Sequence, residues 1–288
     1  MLVMAMVSYG VGLAHHTLGD ADANFIADIV HSESGVRLTT AKKSMIQARL
    51  IRRMQALRLS SLEDYVEYLR SSPDGKAERS ALVDVLTTHK TDFFRERHHF
   101  TYLQETALPG LPRPRGLKTW RSWSAGCSSG EEAWSLAMVL ADYFGEEENW
   151  RFHILATDIS EMVISIGQRA VYPRTMIEPV PQNYQDRFIM NGHGRQAGKI
   201  RIVPELRKTV TFAKENLLAP DAGGSESFEI IFCRNVVIYF DRDATLQLIK
   251  HLARRLAPGG YLFIGHSETI NGEAVGLKTV APTVFQKH

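Results

Sequence analysis

The stretch that decides the fold is residues 119–132, "TWRSWSAGCSSGEE", in which a run suited to a buried strand passes through small residues into an acidic helix start. Strand, loop and helix in direct succession are typical of an α/β domain. The small residues let backbone approach a ligand closely. Glu131 and Glu132 favour the helix dipole but do not suit a bound pyrophosphate, which prefers a helix start without negative charge. The loop therefore indicates a ligand site that disfavours nucleotide phosphates.

Three further apolar runs repeat this pattern along the chain: "RFHILATD" at 151–158, "FEIIFCR" at 228–234 and "GYLFIGHS" at 260–267. Helices are predicted at Glu131–Phe144, Ser160–Arg169 and Asp243–Leu256. Alternating strands and helices imply right-handed crossovers and a parallel sheet covered on both faces. Residues 276–287 follow a turn and are expected to form an additional strand or hairpin. We therefore predict an α/β fold with a doubly wound, mostly parallel sheet.

A small all-helical domain is predicted before the sheet. From Asp22 to Leu86 the apolar residues recur at helical spacing, with turn signals at "SESG" and "SSPDG". Between the second and third sheet strands, a glycine-rich turn and alternating strands predict a small antiparallel β insertion. The predicted boundaries are a tail at 1–21 that is disordered or of cloning origin, a helical domain at 22–90, a connecting helix and linker at 91–118, an α/β domain at 119–288 and the insertion at about 181–213.

Composition excludes several classes of protein. Lys plus Arg (34) against Asp plus Glu (32) leaves a net charge of +2, too little for wholesale nucleic-acid binding, so no nucleic-acid partner is expected. The only cysteines, Cys127 and Cys233, follow the pattern of reduced intracellular thiols. The apolar first fourteen residues lack a basic start and are too short to span a bilayer. We expect a cytoplasmic protein without membrane insertion.

Polar residues close the predicted strands, at the edge where parallel sheets bind ligands. The carboxylate of Asp158 can accept hydrogen bonds from the two hydroxyls of a ribose, and the amides of Asn216 and Asn235 can bind an adenine edge or an amino-acid group. Each residue alone has an ordinary explanation, such as a helix cap for Asp158 or a turn for Asn216. Together with Glu132 they favour a ribose-bearing, cationic, non-phosphorylated cofactor. S-adenosylmethionine fits that description.

Residues 87–100, "TTHKTDFFRERHHF", place the aromatic pair Phe93 and Phe94 among charged groups. With "WSAGCSSGEEAWSLAM", "LATDIS", "ENLL", "IFCRNVVIYFD" and "LAPGGYLFIGHSE", this segment makes the chain resemble the CheR-type chemotaxis receptor methyltransferases. The six motifs stand in the family's order and spacing, and the resemblance extends from about Asp22 to the end. It implies that the two phenylalanines pack inward, whereas Thr91 and Arg95 face the ligand.

The resemblance implies the S-adenosylmethionine-dependent methyltransferase fold and an enzyme that methylates glutamate side chains of chemoreceptors during sensory adaptation. The products would be glutamyl methyl esters and S-adenosylhomocysteine. We select Arg95 and Tyr239 as the catalytic residues that orient the acceptor, although Tyr239 also suits a core aromatic at the sheet end. His89 departs from the family, which usually has asparagine there. The implied cofactor contacts are His89, Thr91, Arg95, Glu132, Asp158, Asn216, Leu217, Asn235 and Val236.

The expected partners also follow from the resemblance. Methylated receptor helices are rich in glutamate, and Arg49, Arg52 and Arg53 lie on one face of the second predicted helix. We expect this face to attract the receptor. The β insertion has about the length seen in relatives that bind a tethering peptide at the receptor's C-terminus. We expect a monomer, and no metal site is predicted, because His98 and His99 suit plain helix residues.

Three alternatives are weighed against this interpretation. A nucleotide-dependent oxidoreductase needs a glycine fingerprint in place of "SAGCSSGEE". A nucleic-acid methyltransferase needs a broad basic surface and usually an Asn/Asp-Pro-Pro-aromatic loop, which "RNVVIYFD" is not. A non-catalytic S-adenosylmethionine-binding sensor or scaffold in a signalling array remains open, since the substitution at His89 leaves room for it.

Overall fold

The structure, a computed structural model, describes residues 18–38, 43–111, 119–145 and 151–288. The chain divides into two compact units. One comprises the residues up to Val30 together with 38–86, and the other comprises His31–Arg37 together with Thr87–His288. Most of the predicted tail and much of the predicted proline-rich linker lie outside the described residues.

The N-terminal part of the chain is helical, as its apolar spacing predicts. Its helices are α1 (Asp20–Ser34), α2 (Lys43–Leu57), α3 (Leu62–Ser71) and α4 (Gly75–Leu86). α1 begins two residues before the predicted start of the helical domain. α2 buries Ile46, Leu50 and Met54, which recur every four residues and so lie on one face. The hydroxyl of Ser61 caps α3 by accepting from the backbone N–H of Asp64.

A buried carboxylate joins three helices of this first unit. Glu78 of α4 is only 5% exposed and pairs with the guanidinium of Arg53 at 2.6 Å. The hydroxyl of Tyr65 donates to the same carboxylate at 2.8 Å. Burial, followed by the contact with Glu78, raises the pKa of Tyr65. Because removing either partner would leave a charge without compensation, this cluster stabilises the helical unit.

The second unit is built on a seven-stranded sheet. Its strands in chain order are β1 (Thr119–Ala125), β2 (Arg151–Asp158), β6 (Val210–Lys214), β7 (Phe228–Cys233), β8 (Leu256–Ile264), β9 (Leu277–Ala281) and β10 (Val284–Lys287). The order across the sheet is β6-β2-β1-β7-β8-β10-β9. The first five strands are parallel, and β10 runs antiparallel to both β8 and β9. The predicted doubly wound, mostly parallel sheet is confirmed, and residues 276–287 form the predicted hairpin.

The main crossover helices are α7 (Glu131–Phe144), α8 (Glu161–Arg169) and α11 (Arg242–Arg255). All three match the predicted helices to within one residue. Ser160 and Asp241 cap α8 and α11 with their side chains, which explains why these helices begin where they do. β7 is buried at every position, as expected for the centre of a sheet covered on both faces.

Strand register brings the polar strand ends to one edge of the sheet. Ala125 of β1 stands opposite Thr157 of β2, and Cys233 of β7 stands opposite Ile264 of β8. The loops that follow β1, β2, β7 and β8 therefore leave the sheet side by side. This edge carries the candidate site.

The small antiparallel sheet differs from the predicted insertion. Its strands are β3 (Val171–Pro173), β4 (Ile189–Asn191) and β5 (Lys199–Ile202), in the order β3-β5-β4. The predicted boundaries of 181–213 are wrong at both ends. β3 lies before them, and β6 within them pairs in parallel with β2 in the main sheet. Alternation identified β6 as a strand, but only long-range pairing decides which sheet a strand joins. The intervening short helices are α9 (Gln182–Phe188) and α10 (Pro204–Arg207).

The segment from Thr87 to Leu111 anchors the edge of the sheet. It contains α5 (Arg97–Tyr102), a π-helical turn (Leu103–Ala107) and α6 (Leu108–Gly110). Phe93 and Phe94 are 0% and 4% exposed, and they contact Tyr172 and Phe100 respectively. Their predicted burial is confirmed.

His99 is a buried imidazole within this anchor. It is fully buried, packs edge-on to Phe263, and its Nε2 lies 2.8 Å from Oγ1 of Thr283. Burial, reinforced by the positive charge of Arg234, lowers the pKa of His99 to about 3. The folded protein therefore holds His99 neutral across the physiological range.

Among the described residues, no helix combines the length and the apolar character needed to cross a membrane.

The substitution Glu78→Gln is expected to lower the free energy of unfolding by about 2 kcal/mol, because hydrogen bonds to a buried charge are lost. Thermal unfolding followed by far-ultraviolet circular dichroism measures this change. The matched control is Arg52→Ala, an exposed position on α2, which should change stability by less than about 0.5 kcal/mol. Equal effects of the two substitutions would contradict the proposed role of the cluster.

His99 should make stability fall as the pH is lowered. The unfolded chain binds a proton at His99 below its ordinary pKa of 6.5, whereas the folded protein does not until about pH 3. The stabilisation is thus present above that ordinary value and is lost on acidification. His99→Gln should remove about 2 kcal/mol of the wild-type decrease between neutral pH and about pH 5. Urea unfolding at both pH values measures it. His193→Gln, at an exposed position, should leave the pH dependence unchanged, and a similar flattening there would count against the assignment.

Candidate functional site

The loop after β1 forms the floor of the site. Gly126, Ser128 and Gly130 have positive φ angles of 83°, 50° and 97°, and the backbone N–H groups of Gly126 and Cys127 donate to the carbonyl of Thr157. A Cβ at Gly126 would lie 2.4 Å from Cγ2 of Val236. Only glycine permits this approach between the loops after β1 and β7.

Asp158, at the end of β2, is tied to this loop. Its carboxylate is 8% exposed and accepts from the backbone N–H groups of Ser128 and Ser160 at 2.9 and 3.0 Å. The hydroxyl of Ser128 in turn donates to the carbonyl of His89 at 2.8 Å. These hydrogen bonds bring Asp158 together with the loop after β1 and with the start of the anchoring segment. A carboxylate has about four lone-pair positions and only accepts hydrogen bonds, so Asp158 is chemically suited to bind hydroxyl groups.

The two glutamates at the start of α7 have different environments. Glu131 is 1% exposed, and the hydroxyl of Ser129 lies within hydrogen-bond distance of its carboxylate. Glu132 accepts from the hydroxyl of Ser124 at 2.6 Å and lies 3.7 Å from Arg234. Burial raises the pKa of both carboxyls; for Glu132 the positive charge of Arg234 offsets part of the increase. Glu132, the predicted contact, is the one connected to the other site residues.

Arg234 lies at the centre of the site. Its side chain is 1% exposed, and it is 3.7 Å from the carboxylates of both Glu96 and Glu132. Its Nη2 donates to the carbonyl of Arg95, and its guanidinium faces the rings of Phe100 and Phe232. Its Nε and Nη1 have no hydrogen-bond partner among the described residues. A buried guanidinium with unused donors suits a carboxylate ligand.

Glu96 connects the anchoring segment to the loops after β7 and β8. It has a positive φ of 57°, and its carboxylate lies 2.8 Å from Nδ1 of His266 and accepts from Nδ2 of Asn235 at 3.1 Å. Burial alone would raise the pKa of Glu96. The contact with His266 and the charge of Arg234 outweigh it, so the pKa lies below its ordinary value.

The predicted residues of the anchoring segment are Arg95, Thr91 and His89. Arg95 is half-buried, donates from Nη1 to the carbonyl of Lys90 at 3.0 Å, and its charge acts on Glu132. Thr91 is also half-buried. The imidazole of His89 lies 2.8 Å from the hydroxyl of Thr87. One ring nitrogen of His89 is therefore already occupied by a neighbour in sequence.

The remaining predicted residues line the loops after β6 and β7. Asn216 donates from Nδ2 to the carbonyl of Glu33 and accepts from the N–H of Leu218, so most of its amide is used within the protein. Leu217 is 6% exposed in the core beside Ala125. Tyr239 is half-buried, and its backbone N–H donates to the carbonyl of Val236. These contacts leave the assigned ligand roles as predictions.

The three arginines predicted to meet the receptor differ in their contacts. Arg49 donates to the carbonyls of Val85 and Leu86, and Arg53 is paired with Glu78. Arg52 is exposed. Two of the three therefore serve the helical unit itself, and Arg52 is the one whose charge faces solvent.

A possible cation site also lies in this region. The ligand atoms of Glu96, His98 and His99 fall within 4.8 Å of one another. The guanidinium of Arg234 is 3.7 Å from the same carboxylate, where it already supplies the compensating positive charge. The absence of a metal stays a prediction.

Four charged or titratable residues of the site were not selected from the sequence: Glu96, Arg234, His266 and Glu268. Each belongs to a motif that was quoted for the family resemblance, but no role was assigned to it. For Arg234 a signal was available, because a charged residue directly after the mostly apolar strand "FEIIFC" must find partners at the sheet edge. Nothing local predicts that Glu96 and His266 meet, since 170 residues separate them.

Comparison with known proteins agrees with this arrangement. Residues 89–285 match the CheR methyltransferase, SAM binding domain, and residues 21–87 match the CheR methyltransferase, all-alpha domain. The chain is 36% identical over 271 residues to chemotaxis protein methyltransferase 2 of Pseudomonas aeruginosa, covering 94% of each protein. It is 35% identical to the chemotaxis protein methyltransferase of Escherichia coli, covering 88% of this chain and 86% of that protein. The corresponding values for Borreliella burgdorferi are 34%, 90% and 92%. With two matching domains and relatives of this similarity along most of its length, the chain belongs to the CheR methyltransferase family.

Proposed function

We propose that this protein methylates glutamate side chains of chemoreceptors, with S-adenosylmethionine as the methyl donor, and so adjusts receptor signalling during adaptation. The observation that carries the proposal is the clustering of Asp158, Glu132, Arg234 and Asn235 at one edge of the sheet, in a chain of this family. Chemotaxis methyltransferases are also the relatives that the chain resembles along most of its length.

The described residues fit this cofactor. Asp158 is a carboxylate at the end of β2, of the kind that accepts hydrogen bonds from ribose hydroxyls, and Glu132 is a carboxylate only 12% exposed that suits a cationic amino group. The unused donors of Arg234 suit the carboxylate of an amino-acid moiety. When bound, S-adenosylmethionine supplies a methyl group on a positively charged sulfur.

The protein's part in the reaction is mainly positioning. A glutamate carboxylate has an ordinary pKa of about 4.3, so the acceptor is already ionised and needs no general base. Holding two reactants in line can lower a barrier by several kcal/mol. We assign this orienting role to Arg95 and Tyr239. A tight bidentate pair with Arg95 would weaken the nucleophile, so Arg95 holds the acceptor through a single contact or acts through the cofactor.

The alternative of a non-catalytic sensor or scaffold is not supported, because all three relatives compared above are named methyltransferases. The proposed location is the cytoplasm, in keeping with two buried, unbridged cysteines. The proposed state is a monomer.

Receptor recognition is proposed to use the exposed charge of Arg52. Glutamate-rich receptor helices would be attracted to it, which mainly speeds encounter and sets register. Arg49 and Arg53 contribute to the same positive face, but their hydrogen bonds within the helical unit limit them to a supporting role.

The small sheet is proposed to bind a receptor C-terminal peptide by adding a strand, a mode known as β-augmentation. β3 and β4 each pair only with β5 among the described strands, so each has a free edge. Lys199 and Arg201 of β5 are exposed, and Ile200 and Ile202 are buried. Positive charge beside a free edge suits an acidic or carboxylate-ending peptide. Such a tether would raise the local enzyme concentration without changing the active site.

The purified protein is expected to transfer labelled methyl groups from S-adenosylmethionine to a receptor signalling fragment, in a form released by base. Arg95→Ala should lower turnover about 100-fold, as expected for lost alignment, and should change stability by about 1 kcal/mol or less. Receptor fragments with and without their C-terminal tails test the tether in the same assay.

Cofactor binding without base-labile label on any receptor of the source organism would contradict the proposed function. If the loss of turnover in Arg95→Ala were fully explained by a loss of folded protein, Arg95 would be identified as a structural residue.

Arg52→Glu should lower kcat/KM for the receptor fragment severalfold at low salt and leave the affinity for S-adenosylhomocysteine unchanged. The deficit should shrink with added salt, because screening weakens attraction between exposed charges. Arg254→Glu makes the same charge change at an exposed position of α11 and serves as the control. Matching losses in the two variants would show that net charge, rather than the face of α2, matters. Arg53→Glu is unsuitable here, since it would place a second carboxylate against Glu78.

A further inference from the structure

A buried carboxylate in the loop after β8 accepts hydrogen bonds from the loop after β7. Glu268 is 5% exposed, and its Oε2 accepts from the backbone N–H groups of Asn235 at 2.9 Å and Gly265 at 2.5 Å. Its Oε1 accepts from the N–H groups of Val237 at 2.7 Å and Ile238 at 3.3 Å. Four backbone donors from two loops thus converge on one side chain.

From this geometry we propose that Glu268 is a positioning residue of the cofactor and acceptor site, a role that rests on the function proposed above. The loop it holds carries three of the predicted site residues: Asn235, Val236 and Tyr239. Tyr239 ends the 3₁₀ turn Val237–Tyr239, whose first two N–H groups point at Glu268. The carboxylate therefore sets both the start and the direction of that turn.

The conformation of Asn235 needs this support. Asn235 has a positive φ of 58°, which costs free energy for any residue with a side chain. Glu268 holds its backbone N–H, and Glu96 holds its Nδ2. With Nδ2 engaged, Oδ1 of Asn235 is the atom left to accept from a ligand. Two buried carboxylates thus fix which end of the amide is presented.

Gly265 makes the clamp sterically possible. A Cβ at this position would lie 2.6 Å from Nδ2 of Asn235 and 2.8 Å from Oε2 of Glu268. Any larger residue would push the two loops apart. This contact explains why glycine and glutamate stand three residues apart in "GHSE". Gly265 leaves room for the side chain of Glu268, which folds back onto the loop.

The charge of Glu268 is balanced by peptide dipoles. None of the ion pairs among the described residues includes Glu268, so the partners of its carboxylate in that part of the chain are the four backbone N–H groups. Glutamine is nearly the same size but would turn an NH₂ group toward two N–H donors and lose those hydrogen bonds. The change Glu268→Gln therefore perturbs the loop with little change in volume.

The test compares Glu268→Gln with Glu229→Gln. Glu229 is also buried, at 8% exposure, and accepts a backbone N–H from Arg121 at 2.9 Å, but it lies at the opposite end of β7. Titration calorimetry with S-adenosylhomocysteine should show that Glu268→Gln weakens binding about tenfold or more, as expected when hydrogen bonds to a charged group are lost. Glu229→Gln should stay within about twofold of wild type.

Receptor methylation is measured in parallel, where Glu268→Gln should lower kcat as well as cofactor affinity. Unchanged affinity and kcat in folded Glu268→Gln would overturn the inference. Equal weakening in both variants at the same loss of stability would also overturn it, because a general effect of buried carboxylates would then suffice. If wild type binds S-adenosylhomocysteine but methylates no receptor, the proposed function fails while the binding comparison still tests Glu268.

A shorter carboxylate provides the second variant if Glu268→Gln does not fold. Glu268→Asp keeps the charge but cannot reach both pairs of N–H groups. It should bind S-adenosylhomocysteine severalfold more weakly than wild type, and wild-type affinity would contradict the clamp.

Discussion

The site depends on the burial of one guanidinium. Arg234 directly follows β7, which is buried at every position, and its side chain is 1% exposed, so its charge has lost the stabilisation that water would provide. Two carboxylates and a carbonyl replace that water: Glu96, Glu132 and the backbone of Arg95. These partners come from the anchoring segment and from α7, whereas Arg234 follows β7, so the need to compensate one charge sets the relative positions of all three elements. Two donors of Arg234, Nε and Nη1, have no hydrogen-bond partner among the described residues.

This requirement explains the composition of residues 87–100. Phe93 and Phe94 must enter the core to hold the segment against the sheet, and Glu96 must stand beside Arg234 and His266. Both needs are met within four residues, and Glu96 adopts a left-handed conformation to meet them. Charge and burial alternate here because each side chain of the segment has a different partner.

The carboxylates at this edge of the sheet accept hydrogen bonds largely from the protein itself, and mostly from its backbone. Asp158 holds the loop after β1, Glu96 holds the side chain of Asn235, and Glu268 holds the loop after β7. Backbone N–H groups are fixed dipoles, so binding them to a carboxylate defines loop conformation before any ligand arrives. A reaction that needs no general base depends mainly on the alignment of the reacting groups, which such fixed loops provide. In the helical unit a carboxylate likewise binds a group of the protein itself: Glu78 pairs with Arg53. Arg52, by contrast, is exposed to solvent.

The sequence by itself determined the fold class, the boundaries of β1, β2 and α7, and the family, because apolar periodicity and motif spacing are local properties of the chain. It also identified residues that stand at strand ends, including Asp158, Glu132 and Asn235. It did not predict that β6 joins the main sheet, that Arg49 and Arg53 are engaged within the helical unit, or that Arg234, Glu96 and Glu268 organise the site. Those outcomes depend on which distant groups meet after folding. Compensation of a buried charge is decided by three-dimensional neighbours, and residues as far apart as Glu96 and His266 become neighbours only when strand order and register bring their loops to the same edge.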